Sequence, residues 1–243
     1  MTIQIIEIVG RSIQGVTRPY ICRADDGNIY FVKGIGAGRR SQVYEWIAGN
    51  LALEVGLPIA PFELVDIPEE LIKDNELYND LGTGLAFGSL KQVITELNFS
   101  GIDQVQDEIQ RAVLAFDWWI RNEDRTLTES GGNPNLFWEP DNEKLVVIDH
   151  NQAFDTDFSN SNFKLLHVFN QQANQLFDYA TYRHEYESKF KKAMKSFGEI
   201  CDNLPEEWYY SDPEMSVPAD FKITNIENIL NRCNKDSFWN THE

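Results

Sequence analysis

The chain has 243 residues, a length that suits one large domain or one domain of two lobes. Its formal net charge of −18 argues against direct nucleic-acid binding, which needs Lys and Arg to neutralise phosphates. A hydrophobic fraction of 42% with 12% aromatic residues excludes a disordered chain. Cys22, Cys201 and Cys233 are odd in number and far apart, so neither a disulfide framework nor a zinc site is expected. MTIQIIEIVG has no basic stretch leading into a long apolar one, and no window reaches a membrane-spanning length, so a soluble, cytoplasmic protein is expected.

In chain order, IQIIEIV (3–9), PYICRAD (19–25) and NIYFVKG (28–34) read as strands, with Asp26-Gly27 as a hairpin signal. From Ser41, a plausible cap, the period becomes helical through Val43, Ile47, Leu51 and Val55, until Gly56 and Pro58 stop it. PIAPFELVDI returns to strand character, and a further strand is expected within LGTGLAFGSLKQV (81–93). Asp103 with Gln106 resembles a capping box for a helix carrying Val105, Ile109, Val113, Phe116 and Ile120. A polar loop, RNEDRTLTESGG, follows, in which TESGG reads as an extended spacer. NLFWE (135–139) and KLVVID (144–149) then flank a Pro140-Asp141-Asn142 turn, and the rest from about Asn162 reads as helical. This order predicts an α+β fold of two lobes with a cleft, a β-rich lobe over 1–93 and a mostly helical one over 94–243.

A hairpin centred near Asn142 would pair residues whose numbers sum to about 284, setting Asn135 opposite Asp149 at its open end. An amide oxygen and a carboxylate converging beyond Asp124 suit Mg²⁺, which takes one or two carboxylates and completes its shell with phosphate and water. Lys33 ends a strand, where its ammonium can meet phosphate oxygens, and Glu45 on the next helix is placed to hold it. GIGAGRR (34–40) lacks the spacing of a phosphate loop and reads as a flexible turn, although Arg39 and Arg40 remain candidates for nucleotide contact. His184-Glu185 has no second His four residues on, and His150 is a doubtful general base.

YFVKG, YEWIAGNLALEVGLPIAP, NEDRT, NPNLF and VVIDHNQAF, in that order between Gly10 and Phe154, resemble the HipA-like kinases and, more distantly, the phosphatidylinositol kinases. The resemblance implies a protein-kinase-like fold using ATP and Mg²⁺, with Lys33 on the phosphates, Glu45 as its partner and Asp124 accepting the proton of the attacking hydroxyl. Asn135 and Asp149 would hold the metal, and Arg125 would either stabilise negative charge or tie the loop together. Gly15 lies in RSIQGVTRP, in the place of a phosphate-covering loop, and GLAFGSLKQV in that of an adenine-facing hinge. The spacer between Asp124 and Asn135 is longer than the family's and leaves Asn133 open as the alternative ligand. The resemblance further implies a protein Ser/Thr substrate such as a translation factor or an aminoacyl-tRNA synthetase, autophosphorylation, and an antitoxin-like partner. A nucleotide-binding pseudokinase and a small-molecule or lipid kinase are the alternatives.

Overall fold

The computed structural model describes residues 2–13, 18–139 and 142–240. The chain divides into two compact units, one formed by residues 1–46, 60–93 and 203–221, the other by 47–59, 94–202 and 222–243. A single cut after Val93 would assign residues 47–59 and 203–221 differently.

In the first unit, β1 (Ile3–Arg11), β2 (Tyr20–Ala24), β3 (Ile29–Lys33), β4 (Phe62–Ile67) and β5 (Gly84–Leu90) form a closed barrel in the order β1-β2-β3-β5-β4. β4 runs parallel to β1 and closes the ring; the other pairs are antiparallel. Alternation decides which side chains fill it: Tyr20, Cys22 and Ala24 of β2 and Tyr30 and Val32 of β3 point inward to meet Ile5, Val65, Ile67, Leu81 and Ala86. Each large apolar side chain so buried contributes about 1.5–3 kcal/mol. The Asp26-Gly27 hairpin forms as its sequence predicts. Gly27 takes a φ of 84°, and Asp26 accepts from the Asn28 amide at 2.9 Å and the Tyr30 hydroxyl at 2.8 Å.

Helix α1 (Arg39–Val55) starts two residues before the expected cap. Ser41 lies inside its first turn, where its buried hydroxyl has no hydrogen-bond partner among the described residues. Val43, Ile47 and Leu51 are fully buried, as the four-residue spacing requires. Residues 203–221 return to the barrel. Trp208 Nε1 donates to the Leu85 carbonyl at 2.8 Å and the Leu85 amide donates to Glu207 Oε1 at 2.7 Å, completing β5 beyond its pairing with β3.

The second unit is built on α2 (Asp107–Ile120). The expected capping box is absent: Asp103 belongs to a 3₁₀ turn spanning Phe99–Gln104, and the side chain of Gln106, the residue before the helix, makes no capping bond. The turn's own needs prevail, since Asn98 caps it by accepting from the Gly101 amide at 3.0 Å. Trp118 and Trp119 anchor the core; their indoles donate to the carbonyls of Phe238 at 3.1 Å and Leu230 at 2.9 Å. Trp119 stacks on Phe190 with centroids 4.3 Å apart, and Trp118 meets Phe177 edge-on at 4.9 Å.

β6 (Thr95–Glu96), β9 (Leu136–Glu139) and β10 (Lys144–Val147) form a small sheet, and β7 (Thr126–Thr128) pairs with β8 (Gly131–Asn133). The stretch read as an extended spacer is therefore largely a second hairpin. After β10 come α3 (Asn160–Leu166), α4 (Ala173–Asp178), α5 (Ala180–Ala193), α6 (Phe197–Asp202) and α7 (Ile223–Leu230). Among the described residues, no helix is long and apolar enough to cross a membrane.

Candidate active site

In the first unit, β3 ends at Lys33, whose ammonium donates to Glu45 Oε1 of α1. Both residues are buried, and the backbone of Lys33 is fixed as well, because Gln42 Nε2 donates to its carbonyl while Gln42 Oε1 accepts from Arg39 at 2.9 Å. Burial lowers the pKa of the Arg39 guanidinium, with the Glu207 carboxylate working against that shift. The amides of Ile35, Gly36, Ala37 and Gly38 all donate to backbone carbonyls, so the glycine-rich turn after Lys33 does not present them as an anion cradle. Gly15 falls outside the described residues.

In the second unit, the central feature is Asp117, a fully buried carboxylate near the end of α2. Its Oδ1 accepts from Asn122 at 2.9 Å, and its Oδ2 accepts from Arg125 Nε at 2.7 Å and from His167 Nε2 at 3.0 Å. Burial works against ionisation of Asp117, but the Arg125 charge and the His167 bond prevail and hold its pKa far below the carboxylate range. His167 Nδ1 accepts from the Phe169 amide at 3.0 Å, which assigns the ring proton to Nε2. Burial lowers the His167 pKa despite the neighbouring Asp117.

Arg125 is wholly buried, and its Nη1 donates to the carbonyls of Asn135 at 2.8 Å, Pro134 at 3.2 Å and Ile148 at 3.2 Å. Of the two roles open from the sequence, this geometry corresponds to tying the loop together. One guanidinium links the helix end to the residues just before β9 and just after β10.

The hairpin register corrects the expected one. Pairs such as Leu136↔Val147 and Glu139↔Lys144 sum to 283, because four residues, 140–143, separate the last pair instead of a turn centred on Asn142. Asn135 therefore faces Ile148, whose amide donates to the Asn135 carbonyl at 3.1 Å, and Asp149 lies one residue beyond. Both Asn135 (φ 48°) and Asp149 (φ 56°) are left-handed, a conformation that Asn and Asp tolerate better than most side chains. This turns the backbone out of the pleat at the open end of the hairpin.

Asp124 follows Asn122, whose Oδ1 accepts from the Asp124 amide at 3.4 Å. Its carboxylate Oδ2 accepts from Asn133 Nδ2 at 2.9 Å and Asn135 Nδ2 at 3.0 Å. Burial raises its pKa; the Asn133 and Asn135 amides pull it down and the charge of Asp149 pushes it up. Asp124, Asn133, Asn135 and Asp149 thus form one cluster within this unit, as Lys33 and Glu45 do in theirs. Among the described residues, no group of three His, Cys, Asp or Glu side chains is placed to hold a metal ion. The Asn135 amide oxygen and the Asp149 carboxylate are donor types that fit a hard cation completing its shell with phosphate and water.

A family model described as HipA-like kinase matches residues 5–242. The chain belongs to the HipA-like kinase family. Membership implies ATP and a divalent cation as cofactors. No curated protein matches the chain. Among solved structures, the chain is similar to the crystal structure of a Helicobacter pylori proinflammatory kinase, CtkA, with 10% identity and a TM-score of 0.54, over 100% of this chain and 97% of that one. That likeness extends the kinase-like fold through the helical last third of this HipA-like kinase, where the sequence motifs run out.

Sequence reading missed Asp117 and His167, the groups that organise the loop beneath Asp124. The signal available was an ionisable residue inside the apolar run AVLAFDWWI, where burial demands a partner. His167 carried no such mark, since its contact with Asp117 spans 50 positions.

Proposed function

We propose that this HipA-like kinase transfers the γ-phosphoryl group of ATP to a Ser or Thr hydroxyl of a protein, with Mg²⁺ as its cation. The observation that carries this reading is the Asp124 carboxylate, fixed on one oxygen by two amides beside the carboxylate of Asp149. A nucleotide-binding module has no need of an oriented base. In this reading the first unit serves as the nucleotide-binding lobe and the second as the catalytic lobe of one kinase domain.

Lys33, steadied by Glu45, meets phosphate oxygens as a point charge. Asp124 aligns the acceptor hydroxyl and takes its proton as the bond to phosphorus forms. Asn135, through its amide oxygen, and Asp149 would hold the cation, which would neutralise phosphate charge there. Arg125 acts at one remove, by keeping the backbones of Asn135 and Ile148 in place. Translation factors and aminoacyl-tRNA synthetases are the acceptor classes that the family suggests, together with autophosphorylation and control by an antitoxin-like partner.

Incubation with Mg²⁺ and γ-labelled ATP, alone and with cell extract, tests the proposal against Asp124→Ala and Asp149→Ala. Label on a protein that both variants abolish supports it. Nucleotide-dependent thermal stabilisation without transfer would favour a pseudokinase, and label confined to a lipid or small metabolite would reassign the acceptor.

A further inference from the structure

Two amides donate to the same oxygen of Asp124, but only Asn135 sits at the hairpin end beside Asp149. Asn133 reaches Asp124 by another route. It is the last residue of β8, paired with Thr126 of β7, so the β7–β8 hairpin folds the chain back until position 133 meets position 124. The hairpin is built for close return. A Cβ on Gly132 would lie 2.4 Å from the Thr126 carbonyl oxygen, and Gly131 adopts a φ of 107°. Thr128 Oγ1 closes the tip by donating to the Gly131 carbonyl at 3.0 Å.

We propose that Asn133 is a positioning residue that fixes which oxygen of Asp124 meets the acceptor, and that the β7–β8 hairpin exists to deliver it. This inference rests on the kinase reading above. With Oδ2 occupied by Asn133 and Asn135, the other carboxylate oxygen, which accepts no hydrogen bond among the described residues, is left for the incoming hydroxyl. In that reading Asn135 has two duties: its amide nitrogen donates to Asp124, and its amide oxygen would serve the cation. Asn133 has only the first, so its removal should impair proton acceptance and spare cation binding.

The test pairs turnover, read as ADP formed from ATP, with calorimetric binding of Mn²⁺ in the presence of ADP. Asn133→Ala is expected to lower kcat by about ten- to a hundredfold, the scale of a slightly misplaced catalytic group, while the KM for ATP and the Mn²⁺ affinity stay within about twofold. Asn135→Ala should weaken Mn²⁺ by about tenfold or more, at least the loss that removal of an outer-shell partner causes. Gly132→Val, which disturbs the hairpin and leaves Asn133 chemically intact, should reproduce the Asn133→Ala loss and add nothing to it in the double variant.

Unchanged turnover in Asn133→Ala overturns the inference, as does a fall in Mn²⁺ affinity that tracks the loss and would make Asn133 a ligand. In both cases the kinase reading stands. Wild-type protein that neither binds Mn²⁺ with ADP nor forms ADP from ATP overturns the kinase reading and this inference together.

Discussion

Lys33 and Glu45 in the first unit are a cation and an anion that satisfy each other, whereas Asp124 and Asp149 in the second are like charges placed close together. The second unit can hold this arrangement because a different carboxylate, Asp117, carries its structural electrostatics. Asp117 is matched by Arg125 at 2.7 Å and His167 at 3.0 Å, out of contact with water. A compensated pair needs no ligand to stay in position. The carboxylate of Asp149 instead acts on Asp124 as a like charge, which suits a site that handles a metal-bound nucleotide.

The comparison is broken most severely at Asp124. Asp124→Asn keeps the shape and removes the base, and phosphoryl transfer should fall by about a thousandfold, within the range for lost general-base catalysis. ATP affinity measured by calorimetry should change little, because Lys33 is untouched.

Asp117→Ala attacks the support in place of the chemistry. It leaves the guanidinium of Arg125 buried without its carboxylate, and urea unfolding should report a loss of about 3–5 kcal/mol. A variant that kept its stability would show that the three carbonyls on Arg125 suffice.

Glu45→Gln sharpens the other half. It keeps a hydrogen-bond acceptor but removes the carboxylate charge beside Lys33, and ATP affinity should drop by about tenfold, equivalent to about 1.4 kcal/mol. Stability should shift less than for Asp117→Ala, since Lys33 can extend toward water on its flexible stem.

The smallest effect concerns acid. The folded pKa of His167 is lowered, so its contribution to stability is present above the unfolded value near 6.5 and is lost as pH falls toward the folded value. Asp117 is also lowered, and its contribution is lost only below about pH 4. Unfolding free energy should therefore be flat between about pH 7 and 8, decline gently below about 6.5 and decline more steeply below about 4. Replacing His167 with Gln should remove the first decline and leave the second.

Much of this was legible because it is local. The alternation in PYICRAD and NIYFVKG places Tyr20, Cys22, Tyr30 and Val32 inward whatever the rest of the chain does, and Asp26-Gly27 fixes how the two strands meet. Lys33 and Glu45 were legible from a strand end and a helix face separated by 12 positions. What escaped was set by tertiary competition. The capping box at Asp103 yielded to a 3₁₀ turn capped by Asn98, and the β9–β10 register shifted because its loop holds four residues. TESGG looked like a spacer because two glycines usually mark freedom; at Gly132 they mark a backbone approach too close for a side chain. Asp117 and His167 lie 50 residues apart, and no pattern within either segment announces the other.

The left-handed backbone at Asp149 also bears on how such a site can be lost. Most replacements there remove a carboxylate and also strain the chain by about 1 kcal/mol or more, but glycine adopts that conformation freely. Every aspartate codon is one base from a glycine codon. In the proposed mechanism Asp149→Gly, and equally Asp149→Asn, is therefore a single-base change that removes the carboxylate while keeping the backbone in place, and transfer should be lost with the fold retained.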